Sequence, residues 1–103
     1  RFAIRMIDKV QAKGKKEAVT IFEVYDIDPP EIFNKKTDAL YFFQKGIEFY
    51  YLKKINEAKE FFEKSLSICS EDKVSEIYIR RCAHYLDVRM EENWDGISRL
   101  DIK

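Results

Sequence analysis

Apolar positions recur along this chain with two different periods. From Ile4 to Ala12, Ile4, Met6, Val10 and Ala12 fall at spacing two, while Ile7 faces the other way. The polar run Lys13-Gly14-Lys15-Lys16 follows, and then Val19, Ile21 and Tyr25 alternate against Thr20, Phe22 and Val24. Two alternating runs around a Gly-containing polar turn predict a β-hairpin over residues 1–25. Both faces carry apolar groups, and an isolated hairpin is marginal in water, so something else should cover it. Pro29-Pro30 interrupts any strand ladder, and residues 26–38 read as a linker whose Thr37 or Asp38 offers an N-cap.

From residue 39 the period becomes helical. Leu40, Phe43, Ile47 and Tyr50 mark one face of a helix over roughly 38–52. Ile55, Ala58, Phe62, Leu66 and Cys69 mark a second, roughly 55–69, and Val74, Ile77, Tyr78, Cys82, Tyr85 and Leu86 a third, roughly 73–91. Ser70-Glu71-Asp72 breaks the pattern and can cap the third helix. Residues 93–103 form a tail that turns at Asn93-Trp94-Asp95-Gly96. Trp94 is expected to dock that tail back on the helices or hairpin, with residues 97–102 adding a strand. The fold class is mainly α: an N-terminal hairpin, a linker, a three-helix unit over 39–92 and a short tail.

Charge and composition narrow the function classes. The 103 residues hold 19 Lys plus Arg and 19 Asp plus Glu, so no excess positive charge is available for a general nucleic-acid binder. The balance is uneven: residues 1–25 carry six basic and three acidic groups, a surplus of three centred on the hairpin turn. No run of eighteen apolar residues exists to span a membrane, and no cleavable signal pattern is present. Cys69 and Cys82 are too few for a disulfide framework and fit a reducing compartment; both read as buried or half-buried helical thiols. One His and two Cys at odd spacing do not make a zinc site, and His84 reads as a helix-surface residue.

The first two helices resemble a tetratricopeptide repeat. With Gly46 as the small residue of the first helix, Phe49 falls three later, Ala58 twelve and Phe62 sixteen, at that family's Gly/Ala, Tyr, Ala and Phe positions. Phe42 replaces the leading Trp, Lys45 the Leu, Ser65 the second Ala and Ser70 the closing Pro. A shift of 34 puts Arg80 at the Gly position and Ala83 at the Tyr position, so the third helix reads as a cap. Since repeat arrays need about three units for stability, a single one implies added burial from the hairpin, the tail or a second copy. Tyr41, Phe42, Phe43, Tyr50, Tyr51 and Trp94 are the candidate interaction surface for that copy, or for a protein or peptide partner. Unpaired strand edges of the hairpin are a second route to self-association.

The string from Met6 to Val24 resembles the closing hairpin of class III adenylate/guanylate cyclase catalytic domains. The Lys13-Gly14-Lys15 turn and the following Ile21-Phe22-Glu23-Val24 fit its pattern, with Ala12 for the usual Val and Ala18 for the usual Pro. A tetratricopeptide-like tail after a short linker, and the Trp94-Asp95-Gly96 ending, resemble bacterial members. The resemblance implies that Lys13 contacts the nucleotide polyphosphate, a charge-assisted bond, with Lys15 and Lys16 adding local potential. It also implies a longer parent protein that makes cyclic AMP from ATP as a homodimer, with Mg²⁺ or Mn²⁺ held by upstream aspartates. The segment itself, starting at Arg1, is then expected to hold no cofactor and no catalytic residue, to touch neither membrane nor nucleic acid, and to be inactive alone. The implied location is cytoplasmic, with any membrane anchor upstream. The alternative is a stand-alone tetratricopeptide peptide-binding adaptor. Its carboxylate-gripping positions would be Phe43 and Ile47, both apolar, which leaves only a hydrophobic groove.

Overall fold

The computed structural model describes residues 3–88, 90 and 92–100. Three helices pack beside a small three-stranded sheet. β1 (Ile4–Ala12) and β2 (Val19–Val24) form the expected hairpin, antiparallel from Ile4 opposite Val24 to Val10 opposite Val19. The turn closes with Lys15 N–H donating to the Ala12 carbonyl at 3.1 Å, and Gly14 takes φ +84°, the left-handed region that favours glycine.

The alternation does not run through β1 unbroken. Met6 pairs with Phe22 but Asp8 pairs with Ile21, so Ile7 is an extra, bulged residue. A bulge moves the later side chains to the opposite face. Ile4 and Val10, read as one face from spacing alone, therefore lie on different faces. Both Arg5 and Asp8 are turned toward the helices, and Met6 and Ile7 both reach the core. The bulge leaves a backbone carbonyl without a ladder partner, and the Tyr78 hydroxyl donates to that Ile7 oxygen at 2.7 Å.

The tail supplies the third strand. β3 (Ser98–Leu100) pairs in parallel with β1, Val10 opposite Ser98 and Ala12 opposite Leu100, giving the order β2-β1-β3. Residues 101–103 lie outside the described residues. Trp94 docks the tail as expected, its ring 5.2 Å from Tyr50 and 5.0 Å from Tyr85.

The linker is shorter than the sequence suggests. α1 (Pro30–Tyr51) begins eight residues before the expected start, so residues 30–38 are helix and Thr37 and Asp38 are exposed positions within it, not caps. Pro30 sits in the first turn, where its missing N–H costs nothing and its fixed φ suits a helix. Glu31 in that turn complements the helix dipole. α2 (Ile55–Ile68) and α3 (Lys73–Asp87) follow, the last stopping four residues short of the expected end. Asp72 caps α3, its carboxylate accepting from Val74 N–H at 3.1 Å.

The core lies where the three helices meet and contains Phe43, Ile47, Tyr50, Ile55, Ala58, Phe62, Tyr78 and Cys82. At the α1–α2 crossing a Cβ on Gly46 would stand 2.8 Å from the Phe62 ring. That ring is fully buried and stacks on Tyr78 at 4.7 Å and 10°. Gly46 and Phe62, singled out by their spacing, thus meet at one contact, and Ala58 is buried in the same core.

Candidate functional site

Lys13 is exposed at the hairpin tip, with Lys15 and Lys16 beside it. An open depression of about 550 Å³ lies there, lined by Ala12, Lys15, Lys16, Glu17 and Val19. Two tethers stiffen the tip: the Gly14 turn, and the Gln11 amide, which donates to the Lys15 carbonyl at 2.8 Å. Three lysines on so short a turn make a concentrated positive potential that suits a polyanion.

What holds this tip relative to the helices is a set of ion pairs. Arg5 on β1 is only 2% exposed and Asp72 only 1%. The Arg5 guanidinium grips the Asp72 carboxylate with both terminal nitrogens, at 2.8 and 2.7 Å, and gives its Nε–H to Glu23 at 2.7 Å. Its plane lies 4.1 Å from the centre of the Phe43 ring, a cation–π contact. Lys36 on α1 continues the network to Glu23 at 3.4 Å and Asp28 at 2.8 Å. Asp72 also accepts from the Ser75 hydroxyl at 2.6 Å, and the Ser75 oxygen in turn accepts from the Ser65 hydroxyl at 3.3 Å. Ser65 stands where the repeat pattern has Ala, and its hydroxyl is used here.

A second clamp lies further along β1. Arg81 of α3 grips Asp8 at 3.3 and 3.1 Å and lies 4.9 Å from the Tyr78 ring centre. Burial by itself would push the Asp72 carboxyl up, but Arg5 and Ser75 hold it below the ordinary carboxylate range. Desolvation likewise works against charged Arg5 and Arg81, and their carboxylate partners outweigh it, raising both. These groups stay ionised, and the hairpin is fastened to α1 and α3 by paired, desolvated charges.

The sequence singled out Lys13 and missed this network. Asp72 was legible as a cap, and a charge at position 5 within an apolar strand run was the available signal for Arg5. Nothing in the spacing links positions 67 residues apart.

The six candidate interaction residues are not brought together on one surface. Phe43 and Tyr50 are core residues, 0% and 2% exposed, because α3 and the sheet close over that side of α1. Burial of Phe43 and Ile47 also removes the hydrophobic groove that an adaptor would need on this face. Tyr51 is half-buried against Gly96 of the tail, Trp94 is half-buried against Tyr50 and Tyr85, Phe42 is half-buried, and Tyr41 is 60% exposed. His84 is exposed on α3, and both cysteines are buried. Desolvation pushes both thiols up, Cys82 to about 11. Among the described residues no group of three or more His, Cys, Asp or Glu could hold a metal ion, and no helix is long and apolar enough to cross a membrane.

No family model matches the chain, and no solved structure matches it significantly. Over 81 residues, 79% of its length, the chain is 38% identical to "Adenylate cyclase, terminal-differentiation specific" of Dictyostelium discoideum. It spans only 4% of that protein. The chain is related to a segment of an adenylate cyclase.

Proposed function

We propose that this chain is the closing segment of a class III nucleotide cyclase that converts ATP to cyclic AMP and pyrophosphate. It would comprise the last hairpin of the catalytic domain and a tetratricopeptide-like accessory module, in a cytoplasmic part of a homodimeric parent. The observation that carries this reading is the 81-residue match to an adenylate cyclase. The exposed lysine turn supports it: Lys13 is presented on a braced tip, able to reach a triphosphate. Arg5, Asp8, Asp72 and Arg81 then have a purpose, since they tie the hairpin that carries Lys13 to the helical module. Motion of that module would be felt at the tip.

The Mg²⁺ or Mn²⁺ of such chemistry does not fit the residues present, which assemble no metal-binding group among those described. Carboxylates of a preceding catalytic body must hold it, and this segment contributes binding and orientation only. The test is cyclic AMP formation from ATP and Mg²⁺ by a longer protein carrying this segment. Lys13→Ala should lower kcat/KM by about 10- to 100-fold, the worth of one charge-assisted hydrogen bond, and the segment alone should be inactive. No cyclic AMP from the longer protein, or unchanged kinetics in Lys13→Ala, would overturn the reading.

A further inference from the structure

The flank of the helix pair carries a row of stacked rings. Phe61 of α2 lies 6.4 Å from Phe42 and 5.4 Å from Phe49, the latter pair within 7° of parallel. All three are half-buried, and among the described residues their ring partners are one another and Tyr41. Lys64 lies over the row, 5.4 Å from Phe61 and 5.8 Å from Phe42. An apolar row at a helix-pair flank suits a further helix, and the charges beside it say which.

On α2, Glu57, Phe61 and Lys64 are spaced by four and then three residues and share one stripe. The side chains of Glu57 and Lys64 are exposed, and neither makes an ion pair among the described residues, whereas Lys59 and Glu63 satisfy each other at 3.2 Å. The midpoint of positions 57 and 64 falls between 60 and 61. A two-fold axis through that point turns α2 onto an antiparallel copy of itself. It sets Glu57 opposite Lys64 twice and brings the two Phe61 rings together. A parallel pairing would set like charge on like charge. Glu60 falls at the edge of the stripe, on the solvent rim.

We propose that a second copy of this chain docks here, antiparallel, with the aromatic row of each copy covering that of the other. This does not depend on the cyclase reading. It differs from pairing through β2, which is an edge strand of the described sheet.

Sedimentation velocity of the chain from micromolar to millimolar concentration tests it, with circular dichroism to confirm that each variant is folded. The wild type should dimerise, and Phe61→Asp should abolish the dimer. Glu57→Lys and Lys64→Glu should each weaken it about tenfold, since symmetry doubles the effect of each exposed pair. The double reversal, Glu57→Lys with Lys64→Glu, should restore wild-type affinity; because these two positions are exposed, this arm stands even if Phe61→Asp does not fold. A monomer throughout the range overturns the proposal. A dimer indifferent to all four variants also overturns it and puts the contact elsewhere, the β2 edge first.

Discussion

Removing the Asp72 carboxylate should be the most damaging single change outside the apolar core. Asp72→Ala deletes two bonds to Arg5, one from Ser75 and the cap on Val74 N–H. It leaves the Arg5 guanidinium, 2% exposed, with Glu23 as its remaining carboxylate. Breaking a buried pair from one side costs about 3–5 kcal/mol, and the lost cap adds about 1 kcal/mol. A domain of this size has roughly 5–15 kcal/mol in all, so the loss is a large fraction. At about 0.2 kcal/mol per degree for this length, the melting temperature should fall by roughly 20–30 °C. Arg81→Met breaks the Asp8 clamp, whose side chains are 28% and 18% exposed, and should cost distinctly less, about 1–2 kcal/mol. Urea unfolding followed by Trp94 fluorescence and by circular dichroism measures both. A cycle through Arg5→Met and the Arg5→Met/Asp72→Ala double variant isolates the pair, because Arg5→Met removes the buried cation that Asp72→Ala strands. The double loss should therefore be smaller than the sum of the single losses by about 2 kcal/mol or more. A loss below about 1 kcal/mol in Asp72→Ala, or strict additivity, would show that the buried charges do not hold the hairpin to the helices.

Other expectations follow from the same packing. Gly46→Ala, which helix propensity alone would make favourable by about 1 kcal/mol, should instead destabilise by about 1–3 kcal/mol in thermal melts, because Phe62 is pinned against Tyr78 and cannot give way. Cys69 and Cys82, buried and held protonated, should react with a disulfide reagent at pH 8 only after denaturant is added; prompt reaction in the native protein would contradict the burial. Asp72 titrates below its ordinary value of 3.8 in the folded state, so its contribution is complete above that value and is lost as pH falls through the lower one. The melting temperature should therefore drop on acidification below about pH 4, and Asp72→Asn, already less stable, should show a shallower drop.

The elements themselves were largely legible along the chain. Apolar spacing determined the hairpin and the three helices, since each rests on neighbours within a few residues, and residue type alone pointed to a cap at Asp72 and a docked Trp94. The spacing of Gly46 and Phe62 even named one tertiary contact, because close helix approach leaves a small-residue imprint. Three things required the folded molecule. Ile7 bulges out of a strand whose alternation continues in the text, and only pairing with β2 shows which face Arg5 and Asp8 take. Pro29-Pro30 reads as a break, yet one proline can equally open a helix, and contacts of Lys36 with Glu23 and Asp28 decide for α1. The aromatics Phe43 and Tyr50 look identical to Phe42 and Tyr41 in composition, and their burial depends on where α3 lands. Above all, the sequence separates a basic hairpin from a helical unit, whereas the structure makes them one body. Local propensity carries no record of a charge pair closing between residues 5 and 72, because the energy of that pair exists only once both are desolvated together.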